Sequence, residues 1–178
     1  MKKLITISFL LLSLGSFSQE YQTNIKLDSL IWIKINEYRA SDSAILYGDV
    51  PNIITVFALG EWREFAYGLT INHSKMKIVR GYNHTDPKEL ASRGITGENL
   101  SQHWFRIDKT DLTDESTLDR IATEIVIGWI NSWTHRIVLN WLGDKESCVV
   151  TVMTTNNLYA EPGGEDYFYK INAMYQTK

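Results

Sequence analysis

Asp166-Tyr167-Phe168-Tyr169-Lys170-Ile171-Asn172-Ala173-Met174-Tyr175-Gln176 alternates along its length. Tyr167, Tyr169, Ile171, Ala173 and Tyr175 share one face, with Lys170, Asn172 and Gln176 on the other. A period of two puts successive side chains on opposite sides of a strand. Just upstream, Val149 to Thr155 is rich in β-branched residues and strand-like. Asn156 to Glu165 separates the two runs and carries Pro162-Gly163-Gly164, which reads as a long hairpin connection. Strands joined in this way pair antiparallel.

Helical patterns precede this pair. Leu27 to Ala40 has Leu27, Leu30, Ile31, Lys34, Ile35 and Tyr38 at i, i+3, i+4 spacing, with Asp28 or Ser29 as its expected cap. Residues 41–60 are ambiguous: Asp49-Val50-Pro51-Asn52 looks like a turn, and Ile53 to Leu59 is a short apolar run. Residues 61–76 read as a second helix through Trp62, Phe65, Ala66, Leu69 and Met76, although Gly68 weakens it. Asp86 and Pro87 form a cap and first turn, and Gly94 ends that short helix. Gly97 to Gln102 is extended, and residues 107–115 read as a polar surface loop. The clearest helix runs from Ser116 or Thr117 to about Trp133, carrying Leu118, Ile121, Ile125 and Trp129. Helices first and paired strands last predict an α+β domain with an antiparallel sheet.

The chain starts with a different signal. Met1-Lys2-Lys3 is basic, Leu4 to Gly15 is apolar apart from Thr6, Ser8 and Ser13, and Ser16-Phe17-Ser18 supplies small residues at a cleavage site. This is the pattern of a secretory signal peptide over residues 1–18. A membrane anchor is the rival, but a spanning helix needs roughly 20 apolar residues. No cysteine lies near the cut, which argues against a lipid anchor. Residues 19–178 then form a single exported domain, periplasmic or secreted, with no transmembrane segment after cleavage. A chain of 178 residues with 44% hydrophobic and 22% charged residues suits one folded core. A formal net charge of −3 excludes a strongly basic nucleic-acid binder. Cys148 is the single cysteine, so no internal disulfide forms, and its strand-like setting points to a buried, inert thiol.

Three segments carry candidate chemistry: Tyr82-Asn83-His84-Thr85, Gly97-Glu98-Asn99-Leu100, and Trp129-Ile130-Asn131-Ser132-Trp133-Thr134-His135-Arg136. Two imidazoles and a carboxylate are suitable ligands for a divalent metal. If the long helix persists past Trp133, Glu124, Gly128, Ser132 and His135 line one groove. The plainer alternatives are a hydrogen-bonding structural histidine, a simple turn at Gly-Glu-Asn, and a core position for Trp129.

Taken in order, these residues resemble the CAP superfamily, the cysteine-rich secretory, antigen 5 and pathogenesis-related 1 proteins, in its bacterial SCP-like form. Asn36-Glu37-Tyr38-Arg39 is similar to the family's Asn-x-x-Arg, and His73-Ser74-Lys75-Met76 to the end of its second helix. His84 precedes Gly97-Glu98-Asn99 at a fitting distance, and Trp129-x-x-Ser132-x-x-His135-Arg136 matches the bacterial segment. The resemblance covers roughly residues 27 to 176. It implies an α-β-α sandwich with an antiparallel sheet between helices. It also implies a central cavity that can hold a divalent metal, zinc or magnesium. His84, Glu98 and His135 carry over as cavity and metal residues, with Glu124 and Ser132 both open for the fourth place. This chain departs from the pattern where Trp133-Thr134 replaces small residues and in lacking the eukaryotic disulfides. His73, read as surface or helix-end, and His103 compete for the imidazole roles. His103 follows Glu98 by five positions, so alternation sets the two on opposite faces.

Two functions lead, ahead of a purely structural or protein-interaction role. The first is a non-enzymatic binding module for a metal and a small apolar or lipid ligand, its protein partner left open. Trp104, Phe105, Trp133 and Trp141 are candidates for an apolar pocket, or simply for the core. The second is a hydrolase in which His135 works with Ser132 or with a metal-activated water. The serine route needs an oxyanion hole, and no stretch of the sequence supplies one.

Overall fold

The computed structural model describes residues 21–41, 55–75, 84–108, 112–140, 145–156 and 166–178. The leader at 1–18, the turn at 49–52, the Pro162-Gly163-Gly164 connection and Trp141 lie outside the described residues. In chain order the elements are α1 (Ile25–Arg39), β1 (Val56–Phe57), α2 (Glu61–Lys75), α3 (Pro87–Ser92), β2 (Gly97–Asp108), α4 (Glu115–Asn131), α5 (Trp133–Leu139), β3 (Glu146–Asn156) and β4 (Asp166–Thr177). The strands form one sheet in the order β1-β3-β4-β2.

The class is α+β, and the sheet is mixed. β4 pairs antiparallel with both β2 and β3; the pairing with β3 is the one expected of the two late strands. The expectation of a wholly antiparallel sheet is corrected by β1, which lies parallel to β3 opposite Glu146 and Ser147. β2 also exceeds its expected length: Ile107 and Asp108 belong to the strand rather than to a loop.

Alternation sorts the core into two clusters. Phe105, Ile107, Val149, Met153, Tyr169, Ile171, Ala173 and Tyr175 pack with α1 and α4 on one face. Leu100, Cys148, Val150, Val152 and Met174 pack with Ala66 of α2 on the other. Trp129 is core, as expected, and its indole N–H donates to the Leu100 carbonyl at 3.3 Å. Cys148 is buried, and burial pushes its thiol up to about 12. The polar side of β4 is covered too. Lys170 donates to the Ser74 carbonyl at 2.7 Å, where α2 ends and its carbonyls favour a cation. Trp104 and Phe105 are adjacent on β2 and so face opposite ways; Trp104 is exposed and Phe105 buried. They do not line a shared pocket.

Polar residues of α1 tie the layers together. Asn24, not Asp28 or Ser29, caps α1, accepting the N–H groups of Lys26 and Leu27. Asp28 is instead fully buried. Its carboxylate accepts the Thr151 N–H at 2.7 Å, the Thr151 hydroxyl at 2.6 Å and the Arg63 guanidinium at 2.6 Å. β1 reaches no further along β3 than Ser147, so the Thr151 N–H on that edge needs another acceptor. Met153 on the same edge exchanges two backbone hydrogen bonds with Gln22. Asn36 accepts the Thr55 N–H at 2.9 Å, and Arg39 donates to the Leu139 carbonyl at 2.9 Å. Asn36 and Arg39 are thus structural anchors.

The long helix does not persist past Trp133. It stops at Asn131, and Ser132 takes extended angles (φ −92°, ψ 117°) before α5 begins. The groove drawn through Glu124, Gly128, Ser132 and His135 therefore does not exist as one helical face.

Burial raises the Asp28 carboxyl from 3.8 to about 6, against the lowering by Thr151 and Arg63. A carboxyl with a raised folded value binds its proton more tightly in the folded chain. Its contribution is therefore greatest below 3.8 and declines as pH rises through about 6. Denaturant titrations across this window are expected to show that decline, reaching at most about 3 kcal/mol, as the difference between wild type and Asp28→Asn. A pH-independent difference contradicts it.

Candidate functional site

Gly97-Glu98-Asn99 opens the edge strand β2, and each residue has a separate task. A Cβ on Gly97 would lie 2.7 Å from Val138 Cγ1 and 3.1 Å from Thr177 Oγ1. The missing side chain lets α5 approach the strand. Asn99 donates from Nδ2 to the His135 carbonyl at 2.9 Å, which fixes the first turns of α5 to the sheet. Glu98, on the opposite face from Asn99, is buried and accepts four hydrogen bonds. Its Oε1 meets the His84 Nδ1 at 3.2 Å and the Thr85 N–H at 2.9 Å. Its Oε2 meets the Thr85 hydroxyl and the Gln176 amide, both at 2.8 Å.

This shell governs the electrostatics. Burial alone would raise the Glu98 carboxyl, but donors from His84, Thr85 and Gln176 outweigh it and bring the group from 4.5 down to about 2. Glu98 is therefore an anion at neutral pH. The hydrogen bond to Glu98 raises His84 above its ordinary value, against partial burial. An ionised carboxylate only accepts, so His84 carries a proton on Nδ1. Burial lowers His135, and the nearby His84 lowers it further. Burial also lowers His73, with Glu98 opposing and His84 adding to the effect. Three imidazoles thus lie within one another's electrostatic reach, or that of Glu98. His73 lies in the last turn of α2, the helix-end place that was one of its two expected settings, and it is buried rather than at the surface.

Ser132 and His135 meet directly. The Ser132 hydroxyl lies 2.7 Å from the His135 Nδ1 and 3.3 Å from the Thr134 hydroxyl. Ser132 occupies the N-cap place of α5 yet makes no side-chain cap bond.

Glu124 joins none of this. It is half exposed and pairs with Arg120 at 3.1 Å one turn away. Its charge is felt by His103, which burial lowers. His103 stacks on Phe105 at 5.8 Å, on the face away from Glu98, as alternation requires. A Cβ at Gly128 would sit 3.7 Å from the His103 ring, so the imidazole beside Gly128 is His103 and not His135.

Among the described residues, no group of three or more His, Cys, Asp or Glu side chains is arranged to hold a metal. Both Glu98 oxygens are taken up by donors, so Glu98 does not fit as a direct ligand beside His84 and His135. It fits as the carboxylate behind a ligating histidine, the usual arrangement of an outer shell. Thr85 and Gln176 were not assigned from the sequence. Thr85 adjoins His84, a signal that was available. Gln176 becomes visible only once the register places it opposite Glu98.

No family model, no curated protein and no solved structure matches the chain.

Overpacking Gly97 tests how closely α5 must approach. Gly97→Ala is expected to lose about 1–3 kcal/mol of stability, measured by chemical denaturation. An unchanged midpoint contradicts the close approach of Val138.

Proposed function

We propose that this chain is an exported binding module of the bacterial SCP-like kind within the CAP superfamily. Its α-β-α sandwich would present His84 and His135, with Glu98 behind His84, at one corner to a small ligand. The observation that carries this reading is the Glu98 shell: a buried anion with four donors, holding a half-exposed imidazole. Such a constellation commits several polar groups to one ring, beyond what packing requires. The helices on both faces of the sheet and the places of Gly97, Glu98 and Asn99 also support the kinship.

A divalent cation, zinc or magnesium, is part of the proposal. His84 and His135 would hold it, with Glu98 orienting His84, and bound there it would polarise an oxygen ligand. The apolar or lipid part of the ligand would meet Trp133, which is exposed two residues before His135. No helix among the described residues is long and apolar enough to cross a membrane.

One contact supports a second reading as a hydrolase. Ser132 forgoes its cap bond and turns to His135 at 2.7 Å. Burial and His84 keep that ring neutral at pH 7, as a general base requires. The Ser132 oxygen would add to an ester carbonyl carbon while its proton passes to Nδ1 and then to the leaving alcohol. Water would release the acyl group and restore the hydroxyl.

Excess zinc is expected to raise the melting temperature of the wild type by ligand linkage. His84→Ala and His135→Ala should abolish the rise. A wild-type melting curve that zinc leaves unmoved contradicts the metal part of the reading. For the hydrolase, turnover of short fluorogenic esters should vanish in Ser132→Ala; turnover that survives the change removes Ser132 as nucleophile.

A further inference from the structure

The hydrogen-bond chain behind Glu98 extends further than the site itself. The Trp62 indole N–H from α2 reaches the Gln176 Oε1 at 3.0 Å. An indole nitrogen can only donate, so this contact fixes which end of the Gln176 amide faces Trp62. The Nε2 end is thereby turned to the Glu98 Oε2 at 2.8 Å. Flipping the amide would set N–H against N–H and oxygen against oxygen. Gln176 is fully buried, so water cannot repair that mismatch. Glu98 in turn is held so that Oε1 faces the His84 Nδ1. The nitrogen that carries the proton in a histidine is set by the partner of the other nitrogen. With Nδ1–H committed to Glu98, the lone pair of the neutral ring is on Nε2, on a side chain that is 53% exposed.

We propose that Trp62 and Gln176 are positioning residues which, acting through Glu98, hold His84 in the tautomer that offers Nε2 as the acceptor for a ligand. The ligand class is then a proton donor or a divalent cation. The inference deepens the binding reading and rests on it for the ligand, while the relay itself stands on the hydrogen bonds alone. The direction of the chain matters. Donors run from Trp62 to Gln176 and from Gln176 to Glu98, so each member constrains the next. An α2 residue thereby sets the state of a ring that precedes α3.

The test reads the His84 ring by nitrogen chemical shifts in the metal-free protein, at alkaline pH where the ring is neutral. Wild-type protein is expected to show the Nδ1–H tautomer. Gln176→Leu removes the donor to Glu98. Trp62→Phe keeps an aromatic ring but frees the Gln176 amide to flip, and serves if the leucine variant does not fold. Both are expected to populate the Nε2–H tautomer as well, and to bind zinc about 10- to 100-fold more weakly. Retention of the wild-type tautomer in every variant that folds overturns the proposal, as does an Nε2–H tautomer in the wild type. The tautomer is read without metal, so a failure of zinc to bind would count against the binding reading and leave the relay intact.

Discussion

A buried carboxylate must be satisfied or neutralised, and Glu98 is satisfied. Four donors from two other segments converge on its two oxygens. Leaving out any of them strands part of a buried charge, at a cost of about 1–3 kcal/mol or more. The strand start at Gly97, the segment leading into α3 and the end of β4 are therefore mutually fixed. The chemistry of the corner is a consequence of that fixing, because the same carboxylate decides the protonation of His84.

Asp28 plays a parallel part at the other edge of the sheet. It takes the Thr151 N–H beyond the reach of β1 and pairs with Arg63 of α2. Two acids thus organise the two edges, with opposite outcomes. Glu98 gathers enough donors to stay strongly acidic, whereas burial dominates at Asp28. The first favours a defined anion in the candidate site. The second stitches the helices to the sheet where a short strand leaves an edge open.

Much of the frame was legible in sequence because it depends on local rules. The period-two pattern of β4, the Asp86 cap with Pro87, and the core place of Trp129 all rest on spacing or side-chain chemistry within a few residues. What escaped depends on tertiary contacts. Asp28 looks like a cap, but its partners are Thr151 and Arg63, far along the chain. The break at Ser132 carries no Gly or Pro to announce it, and it removed Glu124 from the groove drawn with His135. His73 looked peripheral because burial follows from how α2 docks, not from its own neighbours. Gln176 reads as the polar side of a strand until the register sets it against Glu98. Within the candidate site, the sequence names His84, Glu98, Ser132 and His135 as candidates, and the structure shows the His84–Glu98 and Ser132–His135 contacts; the groups that hold them are not legible in the sequence.

Glu98 holds a partly exposed His84 in a charged hydrogen bond, while burial lowers the other imidazoles. The chain has four histidines, so a single NMR pH titration of the ring resonances resolves them all. His84 is expected to titrate above the ordinary histidine value, with His73, His103 and His135 below it. A His84 that titrates at or below the other three would contradict it.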